Sequence, residues 1–415
     1  MQEDYKRRDN CRLCNSKNLE LVMSLAPTPP GDAYVSSKEL SQQQSLYPLD
    51  LFFCKDCTLA QIVDVVNPEI LYKKYIYNTS ISLGSPEHFA RYASEICDFV
   101  KPEKDSLVID IGSNDGTLLR NFKNRGMKVL GIDPASEIAK AATQSGIETL
   151  PEFFTSELAR RIRTKYGQAK IVTANNVTAN IDEFPEFIEG IKKILSPNGV
   201  YVFDTGYGSD LVKNDLIDVI YHEHISFFTV NSLEPFFRNI GMRLVDAKRT
   251  PIKRGSLRGV VKLEGGDYKV SPAVGELRDM ERRDRIDKPD TFQAFASRMQ
   301  ETKKSLQTLL SEIKSSGKTI AGYGASIGVT TMLYHFDIGK FMDFLVDDNP
   351  VRHGSYSPGY HIPVVSREIL NEKRPDYAVL LAWQYKDPIV QKNQEYLDKG
   401  GRFILPLPKI QIIGK

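Results

Sequence analysis

A strand that ends on a glycine turn and runs directly into a helix constrains this chain more than any other feature. Leu107-Val-Ile-Asp-Ile111 is almost wholly apolar, and Gly112-Ser-Asn-Asp-Gly116 separates it from the helical pattern TLLRNFKNRG. The alternation then repeats, with MKVLGID, KIVTANN and GVYVFDT reading as further strands that close near Gly, Asn or Asp. Strands alternating with helical segments dictate parallel strands joined by crossover helices, the doubly wound α/β class. MRLVDAK and SLRGVVKLEG then form two strand patterns across a short loop, as an antiparallel closing pair would. ELRDMERRDRIDKPD begins a helical connection of mixed charge and reads as a solvated face. From Lys318-Thr-Ile-Ala-Gly-Tyr-Gly324 a second α/β unit continues through FMDFLVDD, YAVLLAW and RFILPLP.

Four of the five cysteines stand in two C-x-x-C knuckles, Cys11-Arg-Leu-Cys14 and Cys54-Lys-Asp-Cys57. Two-residue spacing turns both sulfurs of a knuckle toward one ion, and two knuckles complete a tetrahedral thiolate site for zinc. Disulfides fit a reducing compartment poorly, and a redox C-x-x-C normally stands alone at a helix start. Four thiolates leave no open position for water, so this zinc is expected to be structural. Cys97, in the helical ARYASEICDFV, reads as a small packed hydrophobe. The expected domains are therefore 1–75 for zinc, 76–270 for the central sheet and 271–415 for a C-terminal Rossmann-like α/β unit.

The 415 residues carry a net charge of +2, which argues against a broad nucleic-acid surface. No apolar run approaches the roughly 20 residues of a membrane span. The opening MQEDYKRRDN has no apolar stretch behind its charges, so a cytoplasmic protein without a signal peptide is expected.

The turn from Asp110 through Gly112 and Asn114 to Gly116 departs from the G-x-G-x-x-G of a dinucleotide site. It resembles the acidic-residue-first turn of class I S-adenosylmethionine (AdoMet) methyltransferases. That resemblance implies a turn packed on the methionyl part and an acid after the second strand on the ribose, here Asp133. A carboxylate suits two hydroxyl donors better than a neutral side chain does. A second constellation, Tyr221-His222-Glu223-His224, admits three readings: a His-x-His metal site, a satisfied hydrogen-bond network, or acid–base catalysis.

Taken in order, the double knuckle, the Asp-x-Gly turn and Tyr-His-Glu-His resemble the sugar C-methyltransferases that act on nucleotide-linked 4-keto-deoxysugars. The resemblance extends to Tyr75-Ile-Tyr77-Asn-Thr-Ser-Ile-Ser, Ala174-Asn-Asn-Val177, Gly255-Ser-Leu-Arg258, Gly322-Tyr-Gly-Ala325 and Asp348-Asn-Pro. It implies an N-terminal zinc domain, a central class I methyltransferase sheet and a C-terminal Rossmann-like domain. By the same resemblance His224 is the base that forms an enolate, with Glu223, Tyr221 and Tyr77 in the catalytic site. Asn175 and Asn176 join the cofactor residues, and Tyr75, Asn180, Arg258 and Tyr323 face a nucleotide-diphosphate sugar. A monomer is expected. The chain departs from the family at Asn180, where an imidazole is usual, and at Phe203-Asp-Thr-Gly-Tyr207, Lys253-Arg254 and Gly328-Val-Thr-Thr331. The glycine turn at Gly322–Gly328 keeps an NAD-linked oxidoreductase open as an alternative, although no acidic residue at the expected downstream distance clearly completes an NAD site. Further alternatives are an O-methyltransferase on a related sugar and a zinc-anchored binding protein.

Overall fold

The computed structural model describes residues 4–72, 79, 85–251, 255–266 and 268–414. The chain forms two compact units: Met1–Glu20, Phe53–Ser209 and Ile225–Lys288 in one, Leu21–Phe52, Asp210–His224 and Pro289–Lys415 in the other. No helix among the described residues is long and apolar enough to cross a membrane.

At the N-terminus, β1 (Tyr5–Arg7) pairs with β5 (Asp64–Val66). The strands β2 (Leu19–Met23), β3 (Leu51–Cys54), β4 (Ala60–Ile62) and β11 (Ser226–Phe227) make a small sheet in the order β11-β4-β3-β2.

The large sheet of the first unit contains β6 (Leu107–Ile111), β7 (Lys128–Ile132), β8 (Thr149–Leu150), β9 (Ala169–Asn175), β10 (Leu195–Gly206), β12 (Met242–Thr250) and β13 (Ser256–Leu263). Their order is β12-β13-β10-β9-β6-β7-β8, parallel from β6 to β10, with β13 antiparallel to both its neighbours. Alternating strand residues feed two cores. Ile109 and Ile111 meet the helices Ser156–Tyr166 and Phe184–Ile194 on one face. Val108 meets Tyr92 and Ile96 of Ser85–Val100 and Phe122 of Thr117–Lys123 on the other. Such two-sided burial is why these strands are apolar without a polar alternate. At Gly259 a Cβ would lie 2.3 Å from the Phe203 ring opposite it, so the cross-strand register itself requires glycine there.

The second unit carries β14 (Ile320–Tyr323), β15 (Leu345–Val346), β16 (Val364–Val365), β17 (Tyr377–Leu380), β18 (Arg402–Leu405) and β19 (Gln411–Ile413). The order is β16-β15-β14-β17-β18-β19, parallel except for β19. The loop between the two knuckles belongs to this unit. Thr330 Oγ1 donates to Gly31 O, Tyr34 OH to Ala325 O, and Arg352 pairs with Asp32 at 3.2 Å.

The mixed-charge connection is not wholly a solvated face. Glu281, on helix Pro272–Arg283, is completely buried and accepts from Tyr207 OH, the backbone N–H groups of Val230 and Asn231, and the Asn231 amide at 2.6–2.8 Å. It closes the N-terminus of helix Val230–Asn239, whose first N–H groups have no partner within the helix. Burial raises its pKa despite these four donors. Glu281→Ala leaves them unpaired and should lower unfolding stability by about 2–4 kcal/mol in urea denaturation. A loss below about 0.5 kcal/mol would contradict the assignment.

Candidate functional site

The two knuckles are built alike. Asn15 N–H donates to Cys11 O and Thr58 N–H to Cys54 O, with both residues at positive φ; Cys11 N–H reaches Ser16 O and Cys54 N–H reaches Leu59 O. The four Sγ atoms lie within 4.8 Å of one another, with Cys11–Cys57 at 3.5 Å and Cys14–Cys54 at 3.6 Å. A tetrahedron with Zn–S bonds of about 2.3 Å has S–S edges of about 3.8 Å, so the four sulfurs fit one zinc. Among the described residues no other group brings three potential metal ligands together.

The cofactor candidates gather at the carboxyl end of β6. Gly112, Asn114 and Gly116 all adopt positive φ, and the turn opens helix Thr117–Lys123. A Cβ at Gly112 would lie 2.2 Å from a Val177 methyl, so the packing of Val177 already demands glycine there. Asp133, just beyond β7, accepts Asn114 N–H on Oδ2 and Ala135 N–H on Oδ1, both at 2.9 Å. Each oxygen keeps a lone pair that can receive a ribose hydroxyl. Asp110 is buried beside it and accepts from Thr173 Oγ1 at 2.6 Å. Burial, reinforced by the charge of Asp133, pushes Asp110 up to about 7. Two buried carboxylates suit a cationic cofactor that carries a vicinal diol. Asn175, at the end of β9, receives Asp204 N–H on its side-chain oxygen, and Asn176, at positive φ, donates its N–H to Asp204 O.

Asn180 donates from Nδ2 to Tyr72 OH at 3.0 Å, and its Oδ1 is buried without a partner among the described residues. Arg258 is buried and committed to internal carboxylates, forking onto Asp204 at 3.1 and 3.0 Å and reaching Glu95 at 2.8 Å. The register explains the first pair, since Asp204 and Arg258 face each other across β10 and β13. His88 completes the cluster at 3.1 Å from Asp204, and the Tyr92 ring lies 4.0 Å beneath the guanidinium. The family resemblance puts Arg258 on substrate, and no local pattern marks His88, Asp204 and Glu95, because only strand register and a packed helix bring them together. Tyr75, Tyr77, Lys253 and Arg254 lie outside the described residues.

In the second unit, Tyr221–His224 is a tight turn, with His224 N–H donating to Tyr221 O at 2.8 Å. His224 Nδ1 lies 3.0 Å from Val219 O, and Nε2 lies 2.9 Å from Tyr221 OH. A carbonyl only accepts, so Nδ1 carries the proton and Nε2 presents the lone pair. His222 is turned instead toward Tyr47 O at 3.2 Å, and burial lowers its pKa to about 4, which keeps it neutral. The two imidazoles are thus spent on different carbonyls in a turn, unlike the extended pair that a His-x-His metal site needs. Glu223 is buried. The turn sits on helix Ile327–His335: Thr331 Oγ1 donates to Ile220 O at 2.6 Å, and a Cβ at Gly328 would strike Asp218 O at 1.9 Å.

The glycine turn of the second unit has the acid that the sequence did not disclose. Asp347, following β15, accepts Ala325 N–H at 2.6 Å and Asn349 N–H at 2.8 Å. Tyr323 is buried, with its hydroxyl donating to Asp348 and receiving the Asn393 amide.

Because AdoMet is a cation near neutral pH, it should bind the ionised form of Asp110 more tightly. Affinity measured by calorimetry is therefore expected to rise as pH increases through about 7 and to level off above it. Between pH 8 and pH 6 the loss should be several-fold, and Asp110→Asn should flatten the profile. An equally steep profile in Asp110→Asn would contradict the role.

Three family models match successive stretches: a "putative zinc binding domain" over 11–72, a methyltransferase domain over 87–247 and a C-methyltransferase C-terminal domain over 251–408. The C-methyltransferase NovU of Streptomyces niveus is 32% identical over 414 residues, covering 100% of this chain and 99% of that one. An uncharacterized methyltransferase of Alkaliphilus oremlandii is 23% identical over 39% of this chain and 80% of its own. A solved S-adenosylmethionine-dependent methyltransferase from Clostridium acetobutylicum covers 43% of this chain and 92% of its own, at 14% identity and a TM-score of 0.35. Full-length identity to NovU and three matched domains in the expected order displace the NAD-linked reading: the chain belongs to the AdoMet-dependent C-methyltransferases with an N-terminal zinc-binding domain.

Proposed function

We propose that this enzyme methylates the carbon alpha to the ketone of a nucleotide-linked 4-keto-deoxysugar, through an enolate formed by His224. The observation that carries the reading is the fixed tautomer of His224. Val219 O holds the Nδ1 proton, so the basic nitrogen is the one beside the Tyr221 hydroxyl.

A hydrogen next to a ketone is acidic because the anion spreads onto the carbonyl oxygen. His224 Nε2 takes that proton and becomes imidazolium, and Val219 O continues to hold the ring in place. The Tyr221 hydroxyl can turn from Nε2 to the enolate oxygen as negative charge develops there. Glu223, the buried residue before His224, is assigned to the same catalytic site. Bound at the Asp110–Asp133 end of the large sheet, AdoMet supplies an electrophilic methyl group on a sulfonium. Asp133 holds the ribose there, while Gly112, Asn114, Gly116, Asn175 and Asn176 line the cofactor.

The nucleotide end is assigned to the second sheet. A ribose-accepting acid, Asp347, sits beyond the glycine turn and beside the Tyr323–Asp348 pair. Asn180, whose Oδ1 has no partner among the described residues, and the Tyr75–Tyr77 segment are assigned to the sugar. An amide at position 180 cannot titrate, which leaves proton abstraction to His224.

His224→Asn should keep AdoMet affinity and slow methyl transfer by roughly 10²–10⁴-fold, the range for losing a general base. The substrate's alpha hydrogen should also stop exchanging with heavy water in that variant. Undiminished exchange and turnover in His224→Asn would overturn the base assignment.

A further inference from the structure

Between the first two metal-binding cysteines stands an arginine that the zinc does not need. Arg12 is completely buried and lies in the knuckle Cys11-Arg12-Leu13-Cys14. Its backbone N–H donates to Gln61 Oε1 at 3.1 Å. Nη1 donates to Ile225 O at 2.5 Å and Nη2 to Ile62 O at 2.6 Å, while Asp182 Oδ1 lies 3.5 Å from Nη2. Burying a cation mainly against neutral carbonyls is a costly way to stabilise a fold. What the guanidinium does is bridge two main-chain segments with a rigid fork, a task that lysine's single ammonium performs poorly.

One of those segments is the exit of Tyr221–His224. Ile225 O accepts from Arg12 and from Ile62 N–H at 3.0 Å, and Ile225 N–H donates to Ala179 O at 3.0 Å. Ile225 is the residue after His224, and Ala179 is the residue before Asn180. The Asp182 carboxylate near Arg12 is also held by Lys6 and Arg8, at 2.6 and 3.0 Å. Backbone next to both His224 and Asn180 is thus tied through Ile225 to a side chain whose own Cα is set by the cysteine knuckle.

We propose that Arg12 is a positioning residue for His224, so that the knuckle that binds the metal also sets the angle of the imidazole. The inference rests on the assignment of His224 as the base, and it deepens that assignment: zinc supports the reaction through Arg12 and Ile225 as well as through the fold of its own loop. Displacements of about 1 Å in a catalytic group cost up to 10²-fold in rate, so a loosened Ile225 has a measurable consequence.

The test follows the imidazole directly. In zinc-loaded, AdoMet-bound enzyme with ¹³C-labelled histidine, the His224 signal is identified by its loss in His224→Asn. Arg12→Lys should move that signal and its titration midpoint, leaving zinc stoichiometric and AdoMet affinity within about twofold. With a dTDP-linked 4-keto-deoxysugar as acceptor, Arg12→Lys should lower kcat roughly 10–100-fold with little change in KM. It should cost nothing further when combined with His224→Asn. An unmoved His224 signal, or losses that add in the double variant, would overturn the proposal. Should Arg12→Lys fail to fold, Gln61→Leu removes the anchor of Arg12 without touching a cysteine, and the same displacement or its absence decides. Failure of the base assignment would look different, since His224→Asn would then transfer methyl normally whatever Arg12 does.

Discussion

A carboxylate that receives the backbone N–H of a glycine turn organises both α/β sheets of this protein. Asp133 takes the N–H of Asn114 in the first unit, and Asp347 takes that of Ala325 in the second. Each acid stands just beyond the second strand of its sheet and also accepts the N–H two residues downstream. The turn is thereby fixed at the start of a helix, where peptide dipoles and free N–H groups favour polar ligands. The same oxygens retain lone pairs, so on the proposed reading one interaction both shapes the crevice and receives a sugar diol. Asp110 is buried beside Asp133, and the proposal seats the cationic cofactor against this pair.

The proposed base, His224, stands on a short turn whose flanking carbonyls are both held. Ile220 O accepts from Thr331 Oγ1, and Ile225 O accepts from Arg12. Val219 O selects the tautomer of His224. On the proposed mechanism, restraint of this kind orients His224 Nε2 before any substrate binds, which reduces the reorganisation that proton transfer requires. Gly328 fits this scheme, because only a residue without a side chain lets helix Ile327–His335 approach Asp218 O so closely.

Features set by local spacing were legible in the sequence. The paired knuckles, the β6 turn and the run of parallel strands each reduce to a few consecutive residues, and the structure has all three. Features made by distant partners were not. Glu281 reads as a solvated charge in ELRDMERRDRIDKPD, and only its packing on Val230–Asn239 shows it as a helix cap. Arg258 reads as a free cation for a diphosphate until strand register puts Asp204 opposite it. Asp347 escaped because β15 is two residues long and a 3₁₀ turn, Gly339–Phe341, lengthens the connection before it. Arg12 was hidden inside a motif whose cysteines alone appeared to carry meaning.

The central claim is that a carbon–carbon bond forms next to a sugar ketone. The direct test is a carbon NMR spectrum of product made with ¹³C-methyl AdoMet and a dTDP-linked 4-keto-deoxysugar. One-bond coupling between the labelled methyl and the ring carbon adjacent to the carbonyl is the predicted result. A labelled methyl on oxygen, with no one-bond carbon coupling, would contradict the enolate mechanism and recast His224 as the base for a hydroxyl.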